Sequence, residues 1–178
     1  MSAFLKSTIA GIAVEIQASG TVGEATGMNI KAANGEHFIE GTGTTTYSGV
    51  TVTAPAGKGC VVEGGKIVTN KLAGTSAGQG MAGVLVPAIG ETFAEFVIAG
   101  CGPTEALKAL NGIYKVTGSV KCGGDGATVL CSEAAITEQN TLKLRGQKAG
   151  IQVTTTATGR ADGSEAFAPL AVTTVETP

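Results

Sequence analysis

The chain has 178 residues, of which 15% are charged, with a net charge of −2 and no basic run. That length is typical of a single domain that forms a core without a cofactor. The charge pattern and the scarcity of aromatic residues argue against nucleic-acid binding, and no apolar run reaches the roughly 18 residues of a membrane span. Glycine is frequent, at 28 residues, and tryptophan is absent, which favours many short strands joined by tight turns.

The first 18 residues admit two interpretations. Lys6 and the apolar residues 9–14 have the pattern of a signal peptide, but that stretch is short and Glu15 ends it. Alternation of apolar with small or polar residues predicts a strand instead. We therefore expect residues 1–18 to form an N-terminal strand or arm that is exchanged with a neighbouring subunit. The apolar positions of this arm are Ile12, Val14 and Ile16.

The next elements are short, and most are strands bounded by glycine, proline or asparagine. The predicted strands up to Cys101 are residues 28–32, 37–40, 42–53, 60–62, 66–72, 84–86 and 92–99, with a loop at 73–80. One short helix is predicted at 103–110, where Pro103 and Glu105 suit a helix start and Asn111-Gly112 a stop. Strands at 141–145, 150–158 and 167–175 follow, with a turn at 161–164.

Residues 113–131 are predicted to form one β-hairpin. Tyr114, Val116 and Val120 alternate with polar residues, and residues 123–126 supply the turn. This register places Cys122 opposite Ala127, with Cys122 and Cys131 both on the apolar face. With about 11 strands in total, the sequence predicts an all-β fold, an antiparallel β-sandwich or jelly-roll-like barrel, spanning residues 1–178 as one domain.

Four cysteines, at positions 60, 101, 122 and 131, favour disulfides over buried thiols or a metal site. Pairing of Cys60 with Cys101 and of Cys122 with Cys131 is favoured. It requires a shorter hairpin with a longer loop, since a disulfide needs Cα atoms within about 7 Å. Pairings across the core, from the hairpin to Cys60 or Cys101, are the alternative. Disulfides indicate an extracellular or cell- or particle-surface location.

Two glycine motifs match the letters of functional patterns without their context. Residues 74–78 match the Gly-x-Ser-x-Gly of hydrolases around Ser76, but no histidine follows and no strand–turn–helix is predicted there. Residues 78–83 match a dinucleotide fingerprint, but the chain continues as an apolar strand and not as a helix. Both motifs are interpreted as loops.

The remaining candidates are isolated polar residues. His37 is the only histidine, and the only two aspartates, Asp125 and Asp162, lie in glycine-containing turns, so no metal site or cofactor is expected. An acid pair of the kind found in glycosidases would need glutamates to meet in space. The glutamates considered for such a pair are Glu91, Glu95, Glu133 and Glu138.

Three functions are consistent with these features. The first is a homo-oligomeric structural subunit of an extracellular or particle-surface assembly, such as a filament, pilus-like fibre or decoration protein, held by β-strand complementation. The alternative is a secreted carbohydrate- or surface-binding module, which needs an exposed aromatic patch. The aromatic residues considered for it are Phe4, Phe38, Tyr47 and Tyr114. The third, an enzyme, lacks a catalytic constellation and is not expected.

Overall fold

The computed structural model describes residues 2–31, 37–77, 83–124, 128–131, 141–157, 160–161, 165–166 and 170–173. Within these ranges, side chains are described for residues 3–22, 42–74, 84–120 and 141–151. The predicted all-β class is confirmed. No helix in the described part of the chain is long and apolar enough to cross a membrane.

The strands of the described residues are more numerous than the 11 predicted. In chain order they are β1 Ser2–Ile9, β2 Ile12–Ala18, β3 Gly20–Lys31, β4 His37–Ser48, β5 Thr51–Ala54, β6 Val61–Val62, β7 Lys66–Val68, β8 Leu72–Ala77, β9 Gly83–Pro87, β10 Thr92–Ala99, β11 Gly112–Thr117, β12 Val120–Gly124, β13 Thr128–Cys131, β14 Lys143–Leu144, β15 Gln147–Ala157, β16 Arg160–Ala161, β17 Glu165–Ala166 and β18 Leu170–Thr173.

Sixteen of these strands form one nearly closed, barrel-like sheet, and β16 and β17 form a separate pair. One part runs in the order β5, β2, β1, β15, β14, β11, β10, β6. A second part runs β3, β4, β8, β9, β12, β13, β18 and joins the first at β15. A bridge between Thr69 and Ala94 connects the end of β7, which pairs with β4, to β10. Strands β4 and β7 therefore complete the wall of the barrel beside β10.

Strand alternation places the core inside this barrel. Along β2, Val14, Ile16 and Ala18 are buried while the residues between them are not, and β10 follows the same pattern from Ala94 to Ala99. The core brings together residues that are far apart in the chain. Its most buried large side chains are Val14, Ile98, Leu110, Tyr114 and Leu144.

The predicted helix is shorter in the structure than in the sequence prediction. Helix α1 spans Glu105–Lys108, a single turn within the predicted 103–110. Thr104 caps it, because its Oγ1 accepts a hydrogen bond from the Leu107 N–H at 3.3 Å. Leu107 is the buried residue of the turn, so the helix seals one part of the core and has no independent stability.

Two predicted segments differ in type. The loop predicted at 73–80 is wrong for its first part, since β8 runs to Ala77 and pairs with both β4 and β9. The strand predicted at 42–53 is broken at Gly49, where φ is 58°, so that β4 and β5 occupy different places in the sheet. In both cases pairing with distant strands decides the outcome, and glycine content alone does not reveal it.

The predicted hairpin at 113–131 is also wrong in its first arm. Gly118, with φ of 100°, divides it into β11, which pairs with β10 and β14, and β12, which pairs with β9 and β13. The true hairpin is β12–β13. Its register places Cys122 opposite Cys131, and not opposite Ala127 as predicted.

Candidate assembly surface

One of the two longest described strands, β3, lies at the edge of the sheet. Strand β3 pairs with β4 from Gly20 opposite Ser48 to Lys31 opposite His37. No other strand in the described ranges pairs with the second side of β3. Twelve residues at roughly 3.4 Å each give an edge of about 40 Å. An edge of this length carries a row of backbone N–H and C=O groups that another strand can pair with.

Two exposed valines lie on the outer face beside the start of this edge. Val22 on β3 lies opposite Thr46 on β4, which lies opposite Val68 on β7. Val22 is 66% exposed and Val68 44% exposed, although valine is commonly buried. We call Val22, Thr46 and Val68 the outer row. It places apolar surface directly against the unpaired edge.

The inner face of the same strands belongs to the core. Thr21, opposite Tyr47, is buried, and Ile67 follows on β7. The Thr21 hydroxyl is buried without a hydrogen-bond partner among the described residues. The start of β3 is therefore anchored by its inner face, while Val22 on its outer face is exposed.

A second exposed apolar group lies on β6, β10 and β11. Val61 and Ile113 are 54% and 57% exposed, and the register places them opposite Ala99 and Val97 of β10. An ion pair of Lys115 with Glu95, at 3.6 Å, follows on the same strands. Unlike the outer row, this group has no long free edge beside it.

The predicted arm residues lie in the barrel of their own chain. Strand β1 is central, because it pairs with β15 on one side and with β2 on the other. Val14 and Ile16 are 2% and 3% exposed, and Ile12 packs against the core. Exchange with a neighbour stays a prediction. It would reproduce these contacts between two subunits instead of within one.

The barrel interior contains an apolar cavity of about 50 Å³. Its lining comes from seven strands and includes Ala18, Tyr47, Ile67, Phe96 and Ile151. Ligand sites for drug-sized molecules are typically about 300–1,000 Å³, so this space is a packing defect of the barrel on the scale of a side-chain fragment. Burial raises the pKa of Tyr47, which lines it, to about 12.

The aromatic side chains that the structure describes do not build the platform that a sugar-binding module would need. Tyr114 is completely buried, with its hydroxyl donating to the Leu110 carbonyl at 2.7 Å. Tyr47 lines the interior cavity, and Phe4 is half-buried beside Lys6, whose Nζ is 5.9 Å from its ring. The side chain of Phe38 lies outside the described ones.

The catalytic and metal candidates are not brought together among the described residues. Ser76 lies within β8, paired on both sides, and not at a strand–turn–helix corner. Glu95 pairs with Lys115, and Glu91 is exposed at the start of β10. No group of three metal-ligating side chains occurs in the part of the chain that was searched. The remaining candidates, Asp125, Glu133, Glu138, Asp162 and the side chain of His37, lie outside the described residues, as do positions 78–82 of the second glycine motif.

The predicted pairing of Cys60 with Cys101 is confirmed. The two form a disulfide, with Cα atoms 4.2 Å apart, which joins the segment before β6 to the end of β10.

The sequence prediction missed the outer row, because it began the strand at residue 28. The only residues that favour an earlier start are Thr21 and Val22. They lie among three glycines, so no alternation of apolar and polar residues marks a strand there.

Comparison of the chain with protein-family models finds no match. Comparisons with curated proteins and with solved structures find no match either.

Proposed function

We propose that this protein is a structural subunit of an extracellular or particle-surface assembly, such as a filament, a pilus-like fibre or a decoration layer. Subunits join when a neighbour adds a strand along the free edge of β3. The single observation that carries the proposal is this edge of about 40 Å, unpaired among the described residues and bordered by the outer row.

The edge lacks the features with which proteins usually prevent such pairing. Monomeric proteins protect edge strands with proline, with several charged residues or with short length. Strand β3 is 12 residues long, contains no proline and carries only Glu24 and Lys31 as charged residues. Main-chain hydrogen bonds would supply the affinity, and the outer row would supply apolar contact beside the new strand.

The amino-acid composition and the disulfide support an extracellular or particle-surface location. Charged residues are 15% of the chain, below the roughly 25% of an average soluble protein, which suits surfaces that pack against copies of themselves. The Cys60–Cys101 disulfide fits an oxidising environment. Both features agree with a homo-oligomer outside the cytosol.

The test is the oligomeric state of the purified full-length chain and of Val22→Lys. Light scattering and electron microscopy of the wild-type protein should show a concentration-dependent assembly. Val22→Lys places a charge on the outer row at a position that is 66% exposed, so the monomer keeps its fold and assembly weakens by at least tenfold. The matched control is Ile89→Lys, which makes the same apolar-to-charged change at an 85% exposed residue between β9 and β10 and should assemble normally. The proposal is overturned if the wild-type chain stays monomeric at all concentrations. If both variants weaken assembly equally, β3 is not the strand through which subunits join.

Exchange of the N-terminal arm has its own test. Deleting residues 1–18 would remove β1 and β2 from the core, so truncation measures folding and not assembly. A better probe is Phe4→Cys combined with Gln152→Cys, positions that face each other across β1 and β15. The new disulfide links two chains on a non-reducing gel if the arm is exchanged and closes within one chain if it is not.

A further inference from the structure

The hairpin of β12 and β13 places two cysteines directly opposite each other. Cys122 is the Cα partner of Cys131, followed by Gly123 with Leu130 and Gly124 with Val129. Facing residues of antiparallel strands have Cα atoms about 4.5–5.5 Å apart, and disulfides span about 4.4–6.8 Å. The backbone register therefore holds these two positions within bonding range.

The other two cysteines are not available as partners. Cys60 and Cys101 are already joined to each other, which removes the pairings across the core. The chain has four cysteines, so Cys122 and Cys131 remain for one another. We propose that they form a second disulfide across β12 and β13.

The bond forms by ordinary thiol–disulfide exchange with a small disulfide oxidant such as oxidised glutathione. The thiolate of one cysteine attacks a sulfur of the oxidant, and a mixed disulfide forms as one thiol leaves. The thiolate of the other cysteine then attacks the protein sulfur of that mixed disulfide, and the second thiol leaves. Two cysteine thiols are oxidised, and one oxidant molecule is reduced to two thiols.

The position of this bond in the sheet gives it a specific role. Strand β12 pairs with β9 on its other side, and β13 pairs in parallel with β18, which pairs with β15. Among the described residues, each of these ladders joins two to four residue pairs. We call β9, β12, β13 and β18 the seam, since they connect the β3–β4–β8 part of the sheet to the barrel strand β15. The second disulfide clamps the middle of the seam, whereas Cys60–Cys101 holds the end of β10.

Peptide mass spectrometry of the full-length protein tests the bond directly. Trypsin cleaves after Lys121 and Lys143, and no lysine or arginine lies between them, so both cysteines fall in the peptide 122–143. When the protein is unfolded without reduction, this peptide should not be alkylated, and its mass should be two hydrogens lower than that of its dithiol form. After reduction, both cysteines should be alkylated. The proposal is overturned if both cysteines are alkylated without reduction, or if either forms a disulfide with another peptide or another chain. This result does not depend on the stability of any variant.

Hydrogen exchange tests the role of the bond. In Cys122→Ser combined with Cys131→Ser, amides of the seam should exchange up to about 100-fold faster, the loop-closure effect expected for a ten-residue loop. Amides of β1, β2, β10 and β11 should keep their rates. The matched variant, Cys60→Ser combined with Cys101→Ser, should accelerate exchange near β6 and β10 and spare the seam. Equal acceleration throughout the chain, or none in the seam, rules out the clamping role.

Discussion

Gly59 and Gly100 approach each other so closely that neither position has room for a side chain. A Cβ on Gly59 would lie 2.8 Å from the Gly100 carbonyl oxygen, and a Cβ on Gly100 would lie 2.7 Å from the Gly59 carbonyl oxygen. Both have positive φ, at 78° and 75°. Each glycine directly precedes one cysteine of the Cys60–Cys101 disulfide. The close backbone contact thus brings the two cysteines together.

Alanine at either glycine should destabilise the fold and hinder oxidation of the disulfide. The matched control is Gly57→Ala in the same loop, where φ is 66° but nothing lies within 4 Å of the added Cβ. The control should lower the free energy of unfolding by about 1–2 kcal/mol, the penalty for a non-glycine residue in the left-handed conformation. Gly59→Ala and Gly100→Ala should cost clearly more and leave free thiols after refolding. Urea unfolding and thiol titration measure both effects, and equal costs at all three glycines would show that the close contact is unimportant.

The sequence predicted those elements whose periodicity is local. Strand β10 matches the prediction at both ends, because Phe96 and Ile98 alternate with the less buried Glu95 and Val97. The break at Gly118 was not predictable. A Cβ there would overlap the Thr141 carbonyl oxygen, a contact between residues distant in the chain. The single hairpin drawn from alternation therefore becomes two strands in different parts of the sheet.

The candidate surface was less predictable than the fold. An edge strand is defined by what does not pair with it, which is a property of the whole sheet and not of residues 20–31. The arm residues Val14 and Ile16 were correctly placed on one apolar face, but that pattern does not distinguish the chain's own barrel from a neighbour's.

Two buried threonines should respond oppositely to valine. The Thr21 hydroxyl is buried without a hydrogen-bond partner among the described residues, so Thr21→Val removes a desolvated polar group and should stabilise the protein by about 1 kcal/mol. The Thr69 hydroxyl accepts a hydrogen bond from the Thr45 N–H at 2.8 Å, so Thr69→Val should destabilise by about 1–2 kcal/mol. Urea unfolding of the two variants gives the comparison. A loss of stability in Thr21→Val would mean that its hydroxyl is satisfied in solution.

The interior cavity should tolerate an added side chain on its wall. Ala18 is 4% exposed and lines the cavity, so Ala18→Val fills empty space and should raise the free energy of unfolding by up to about 1 kcal/mol. Ala149, 1% exposed, does not line it, so the same change there should overpack the core and cost about 1–3 kcal/mol. Thermal unfolding measures both. Equal destabilisation by the two variants would show that the cavity is already filled by relaxation of its walls.

Tyr114 should contribute more to the free energy of unfolding through its hydroxyl than through its cation–π contact. Its buried hydroxyl donates to Leu110, so Tyr114→Phe leaves that carbonyl unsatisfied and should cost about 1–2 kcal/mol. The guanidinium carbon of Arg145 lies 5.1 Å from the Tyr114 ring centroid, and Arg145 is itself exposed. Arg145→Met keeps a non-glycine residue at φ of 53° and should cost only about 0.5–1 kcal/mol. A larger loss from Arg145→Met than from Tyr114→Phe would reverse this order.

Stability should fall at alkaline pH because burial disfavours tyrosinate. Desolvation raises the pKa of Tyr47 from 10.0 to about 12, and it also raises the pKa of Tyr114, where the nearby Arg145 opposes the increase. Between the unfolded and folded pKa values the folded state binds more protons, so the contribution of Tyr47 is complete below pH 10 and is lost as the pH rises from 10.0 to about 12. Urea unfolding across this range should show a shallower decline for Tyr47→Phe than for the wild-type chain, and a shallower one still when Tyr114→Phe is added. All other ionisable groups are common to the three proteins, so parallel declines would mean that neither tyrosine is desolvated in the folded state.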